Sequence, residues 1–97
     1  MLKRLNHIAI AVPNLDIAVD NYKKAFGIEV TPKQELIKHG VTTVFIKLDN
    51  TNIELLEPLG KGSPIDKFLK RNPAGSIHHL CYEVEDIKLA TLNLQNK

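Results

Sequence analysis

Apolar and polar positions alternate from Leu5 to Val12, with Ile8, Ile10 and Val12 on one side and His7, Ala9 and Ala11 on the other. Period two with β-branched residues predicts a strand. Pro13 ends it and Asn14 is a good N-cap. Leu15, Ala18, Val19, Tyr22 and Phe26 then recur at helical spacing. Lys23 and Lys24 suit the C-terminal end of the helix dipole, and Gly27 supplies a C-cap. The stretch 28–37 is weakly patterned and carries Pro32, so it reads as an edge or bent strand. Gly40 marks a turn, and Val41 to Leu48 is rich in β-branched residues. Asp49-Asn50 predicts a tight hairpin, because both residues tolerate positive φ. Thr51 to Glu57 returns as its partner. The order is βαβββ.

The pattern breaks between Pro58 and Gly75. Gly60, Gly62, Ser63 and Pro64 predict a loop, with a short helix capped by Ser63, opened by Pro64 and carrying Ile65, Phe68 and Leu69. Ser76 to Val84 alternates again. Asp86 then caps a second helix that carries Ile87, Leu89, Ala90, Leu92 and Leu94. The expected organisation is one complete module over 1–59, a linker with a short helix over 60–75, and the β-α start of a second module over 76–97.

The second module echoes the first. His7-Ile8-Ala9-Ile10-Ala11-Val12-Pro13-Asn14 lies over His79-Leu80-Cys81-Tyr82-Glu83-Val84-Glu85-Asp86, with Ala18 over Ala90. Self-similarity of this kind points to duplicated βα units. If the copies pack about a pseudo-two-fold axis, His7 and His79 face each other across one cleft. Their same-face neighbours Ala9, Ala11 and Cys81 are small and leave room for a ligand. Leu80, Tyr82 and Val84 are expected to pack under the helices. On the Thr51–Glu57 strand, Glu54 projects from the face opposite Ile53 and Leu55. Two imidazoles and a carboxylate suit a divalent transition metal with an open position for substrate oxygens.

Each of these residues also has a plainer reading. A strand histidine is more often structural than a ligand, and the duplication is what singles out His7. His78 is expected on the helix-packed face in a structural role. His39 is expected to be solvated, Glu57 structural, and Cys81 a small buried hydrophobe.

Composition narrows the class without naming the chemistry. Ninety-seven residues allow one small domain. A net charge of +2, without an aromatic-interleaved basic stripe, gives no case for nucleic acid. No apolar run approaches membrane-spanning length, and the N-terminal residues resemble neither a secretory signal nor a transit peptide. One cysteine fits a reducing compartment, with the cytoplasm expected, or the mitochondrial matrix in a eukaryote.

Four stretches together resemble the methylmalonyl-CoA epimerases of the vicinal oxygen chelate (glyoxalase/bleomycin resistance-like) superfamily. They are Leu5-Asn6-His7-Ile8-Ala9-Ile10-Ala11-Val12-Pro13-Asn14-Leu15, Asn50-Thr51-Asn52-Ile53-Glu54-Leu55-Leu56-Glu57-Pro58-Leu59-Gly60, the Ser63-Pro64-Ile65 and Phe68-Leu69 segment, and Ser76-Ile77-His78-His79-Leu80-Cys81-Tyr82-Glu83-Val84. The opening motif is shared with glyoxalases, extradiol dioxygenases and fosfomycin-type resistance proteins; the combination is more specific.

The resemblance implies an α+β fold in which βαβββ modules surround a divalent metal, here one complete module plus the first βα of a second. It implies His7, His79 and Glu54 as ligands, with Glu54 also the candidate for proton transfer. The metal would be cobalt first, then nickel, manganese or zinc. The implied reaction inverts C2 of methylmalonyl-CoA through a metal-stabilised enolate, and relatives are usually homodimers. Two departures stand out. The family's final ligand, a Glu in the last strand of the second module, has no match here, so poor activity of this chain alone is expected. The position of a Glu proposed as a base in some members is Thr43. Lys61, Lys67, Lys70 and Arg71 are available for the CoA phosphates. Another chelating enzyme, lactoylglutathione lyase-like, and an inactive remnant that only binds a small molecule are the competing readings.

Overall fold

A computed structural model describes residues 2–88 and Thr91. Its elements are β1 (Leu2–Ala11), α1 (Leu15–Phe26), β2 (Gln34–Leu36), a 3₁₀ turn (Ile37–His39), β3 (Val41–Lys47), β4 (Asn52–Pro58), α2 (Asp66–Arg71) and β5 (Ser76–Val84). The strands form one mixed sheet in the order β2-β3-β4-β1-β5. β1 runs parallel to β4 and antiparallel to β5, and β3 is antiparallel to both its neighbours. This is the α+β architecture expected, with βαβββ followed by a strand that echoes the first.

Period-two patterning divides the sheet into two faces. On one, Val12, Leu15, Val44, Ile46 and Leu55 form a buried cluster, with Ile10, Ala18, Val19 and Tyr22 packed against it. On the other, Ala9, Ala11, Val41 and Leu56 pack with Ile65 at the start of α2. The first cluster seats α1. Asn14 Oδ1 accepts from Ile17 N at 3.0 Å, and Gly27 adopts the left-handed conformation that closes the helix. Glu57 Oε1 accepts from Leu15 N at 2.7 Å, placing a carboxylate at the positive end of α1. That is a structural role on the face away from Glu54.

Several local expectations are corrected. β1 begins at Leu2, since β5 pairs with it as far as Leu2 opposite Val84. Of the stretch 28–37, only Gln34–Leu36 is strand; segment 28–33 is tied to β3 by Thr31, whose N donates to Phe45 O and whose hydroxyl accepts from Phe45 N, each at 2.9 Å. Pro32, beside it, has no N–H for a ladder. Between β3 and β4 the chain turns through residues 48–51 with Leu48 N donating to Thr51 O, and no non-glycine residue among those described has positive φ. The expected left-handed Asp49-Asn50 turn is therefore absent. α2 starts at Asp66, after the expected cap. The Ser63 hydroxyl donates to Gly40 O at 2.6 Å, tying the loop to the 3₁₀ turn, and accepts from Ile65 N at 3.5 Å, while Ser63 O accepts from Asp66 N at 3.1 Å, so Ser63 bonds to the turn that leads into the helix.

β5 lies at the sheet edge. Ile77, Leu80 and Tyr82 are about half exposed, not packed under helices as expected. No described element covers them; the helix expected after Asp86 is helical at residues 87, 88 and 91 and otherwise lies outside the described residues. Cys81 is half-buried, not fully. Gly75 sets the start of β5. Its φ is +89°, and a Cβ there would sit 2.6 Å from Ala11 O, so only glycine allows this approach to β1.

Candidate metal centre

The strand register gathers the three predicted ligands. Glu54 on β4 and His79 on β5 are the direct partners of Ala9 on its two sides, and His7 lies one pleat repeat along β1 on the same face. Ala9 is small, so the flanking side chains reach over it toward His7. Ala11, further along the same face, is fully buried in the same cluster with Ile65, but its partners are Leu56 and Ser76 and not two of the ligands.

His7 Nε2 and His79 Nε2 stand 3.4 Å apart. Glu54 Oε1 lies 3.5 Å from the first and 3.9 Å from the second. Tetrahedral bonds of about 2.1 Å put donor atoms roughly 3.4 Å apart. The spacing is therefore close to what one shared cation requires. The donor set, two imidazole nitrogens and one carboxylate oxygen, fits a divalent transition metal. Among the described residues this is the one group of three such side chains whose ligand atoms converge within 4.8 Å.

Glu54 is 8% exposed, and a buried carboxylate needs partners. Oε2 accepts from the Thr43 hydroxyl at 3.0 Å, which leaves Oε1 for the histidines. Thr43 thereby orients the carboxylate. The Phe45 ring meets the His7 ring edge to face at 5.8 Å and walls that side.

His78 departs from expectation. It is not on the helix-packed face of the sheet beside Leu80. A β-bulge turns it toward the site, where its ring packs edge to face on Phe68 of α2 at 4.9 Å, and its Nδ1 lies 2.9 Å from His79 Nδ1. Burial is the main influence holding the His78 ring below the ordinary histidine pKa, aided by neighbouring His79 and opposed by Glu54. The adjacent His-His pair was visible in the sequence; the bulge that puts both rings on one side was not.

An open cavity of about 350 Å³ adjoins the cluster, lined in part by Glu54, His78, His79, Leu36, Lys38 and His39. His39 is exposed, as expected, and stands at its rim. Lys61, Lys67, Lys70 and Arg71 are exposed on and before α2. A larger groove, about 450 Å³, runs between segment 28–31 and β3, but no cluster of ligand atoms converges in it.

Residues 6–97 match the Glyoxalase/Bleomycin resistance protein/Dioxygenase superfamily. Over 90 residues the chain is 60% identical to the ethylmalonyl-CoA/methylmalonyl-CoA epimerase of Cereibacter sphaeroides, covering 93% of this chain and 67% of that protein. It is 50% identical to the mitochondrial methylmalonyl-CoA epimerase of Homo sapiens, covering 99% of this chain and 54% of the relative. A solved methylmalonyl-CoA epimerase in complex with methylmalonyl-CoA and NH4+ superposes with a TM-score of 0.87 at 27% identity, over 99% of this chain and 70% of that one. The chain thus spans between about half and two-thirds of its curated relatives' length. It belongs to the glyoxalase/bleomycin resistance protein/dioxygenase superfamily, within the methylmalonyl-CoA epimerase family.

Proposed function

We propose that the chain carries a divalent-cation site of a methylmalonyl-CoA epimerase, with His7, His79 and Glu54 as its ligands. The observation that carries this reading is the convergence of His7 Nε2, His79 Nε2 and Glu54 Oε1 above Ala9. The similarity to named epimerases supports the substrate. Cobalt is the metal proposed first, with nickel, manganese or zinc as alternatives.

A bound divalent cation supplies Lewis-acid charge to the thioester carbonyl and carboxylate oxygens as the C2 proton leaves. The chain's own residues prepare for this. His7 and His79 turn Nε2 toward the shared centre, and Thr43 fixes the direction of Glu54. Glu54 cannot hold a cation and take a proton through the same oxygen, and Oε2 is engaged by Thr43. The geometry favours the ligand role; proton transfer by Glu54 requires Oε1 to leave the cluster. The adjoining cavity offers space for the acyl group, and the exposed cations on and before α2 suit the CoA phosphates. A homodimer in the cytoplasm or mitochondrial matrix completes the proposal.

Cobalt titration tests it. The full chain is expected to take up one equivalent of Co²⁺, with visible absorption bands that shift on adding methylmalonyl-CoA. His7→Ala and His79→Ala are expected to abolish uptake. A folded chain that binds no Co²⁺ would sink the metal reading and favour a plain binding module. Bands that respond to the glutathione hemithioacetal and not to methylmalonyl-CoA would move the substrate elsewhere in the superfamily.

A further inference from the structure

Both imidazoles of the candidate centre have Nδ1 partnered by the side chain immediately before them. His7 Nδ1 lies 2.8 Å from Asn6 Oδ1, and His79 Nδ1 lies 2.9 Å from His78 Nδ1. In a regular strand this cannot happen, because consecutive side chains project to opposite faces. Two bulges make it possible. β1 advances from Leu5 to His7 while β5 moves only from Tyr82 to Cys81, so Asn6 is an extra residue. Further along, β5 moves from His79 to Ile77 while β1 advances only from Ala9 to Ile10, so His78 is extra. A bulge re-aims the inserted side chain. The same irregularity thus occurs at the same place in both copies of the repeat, one residue before each histidine.

The hydrogen bonds fix the proton on His7. Glu83 Oε2 takes a bond from Asn6 Nδ2 at 3.1 Å and pairs with Arg4 Nε at 3.2 Å. A carboxylate accepts, so the Asn6 amide nitrogen faces Glu83 and its oxygen faces His7. An amide oxygen also only accepts, so His7 Nδ1 carries a proton, and Nε2 is the nitrogen turned to the site, toward Glu54 Oε1 and His79 Nε2. β4 secures the bulge from the other side. The Thr51 hydroxyl donates to Leu5 O at 2.7 Å, and Asn52 Nδ2 donates to Asn6 O at 3.2 Å. On β5 the arrangement is the same in kind. For His79 Nε2 to offer a lone pair, its Nδ1–H must donate, and the acceptor in place is His78 Nδ1. Phe68 holds the His78 ring edge to face in the required orientation.

We infer that Asn6 and His78 are a matched pair of positioning residues, each inserted by a β-bulge to hold the following histidine as its Nδ1–H tautomer with Nε2 aimed at the shared centre. The purpose rests on the metal reading proposed above; the contacts at Nδ1 exist without metal.

Nitrogen-15 NMR of the histidine rings in the metal-free full chain separates the two. At mildly alkaline pH, Nδ1 of both His7 and His79 is expected to carry a proton. Asn6→Leu shifts His7 toward the Nε2–H form that free imidazole prefers and leaves His79 alone; His78→Leu does the reverse. His78→Asn keeps the tautomer of His79, because it installs the acceptor that the first copy already uses. In cobalt titrations the two leucine variants raise Kd about 10- to 100-fold, and His78→Asn stays near the parent value. Parent rings found as Nε2–H, or leucine variants with unchanged tautomers and folded circular dichroism spectra, overturn the inference. The expected tautomer pattern in a chain that binds no cobalt supports the positioning and overturns the metal reading instead.

Discussion

The Thr43 hydroxyl, 1% exposed, donates to Glu54 Oε2 at 3.0 Å and so decides which carboxylate oxygen faces the two histidines. Its second oxygen neighbour, Leu55 O at 3.2 Å, keeps the hydroxyl on β4. Thr43→Val preserves shape and removes the donor. It leaves a buried carboxylate oxygen unpaired, which costs about 1–3 kcal/mol. The melting temperature of the metal-free chain is expected to fall. Co²⁺ affinity is expected to drop about 10- to 100-fold, as for other groups that orient a ligand from behind. Calorimetric titration and thermal melts check both, and unchanged affinity would show that Glu54 needs no help from Thr43.

Ala9 lies between the Cα partners Glu54 and His79 with no exposed surface. Any branched side chain there enters the space over which the three ligands meet. Ala9→Val is expected to lose Co²⁺ binding outright while costing about 1–3 kcal/mol of stability from overpacking. The discriminating feature is that the metal defect exceeds the folding defect. Ala11→Val, on the same face but flanked by Leu56 and Ser76 instead of by ligands, is expected to lower stability by a similar amount and to retain metal binding. Equal metal affinities in the two variants would contradict the placement of the site.

These two variants mark where sequence patterning succeeds and fails. Alternation alone puts His7, Ala9 and Ala11 on one face, and the repeat points to His79 as the facing partner; both are properties of strand geometry. Ala9 and Ala11 share one buried cluster with Ile65, and what separates them is the strand register, which sets Glu54 and His79 beside Ala9 but Leu56 and Ser76 beside Ala11. His78 was read to the wrong face because strict period two counts through a bulge. Bulges arise from mismatched advance on two strands, which no single strand records. Thr43 was noted only as a poor base. That it serves Glu54 follows from the β3–β4 register, in which it partners Leu56 two residues from the Phe45–Glu54 pair and on the same face. The half-exposed Leu80 and Tyr82 follow from the edge position of β5, another tertiary fact.

The depressed His78 pKa gives a pH signature that can be signed in advance. Burial is its main cause, with the neighbouring His79 second. Between its folded value and the ordinary value near 6.5, the unfolded chain binds a proton that the folded chain resists. Stability therefore rises with pH through that window, is fully present above it, and is lost as pH falls through the folded value. His78→Asn removes the titration while retaining an acceptor for His79. Melting temperatures of the metal-free protein, measured from neutral pH downward, are expected to fall less steeply for this variant than for the parent. Parallel curves would mean that His78 takes up its proton as easily in the folded chain as in the unfolded one. A bridge in which His78 Nδ1 must remain free to accept from His79 would then not be the dominant arrangement, and the bulge on β5 would serve packing against Phe68 alone.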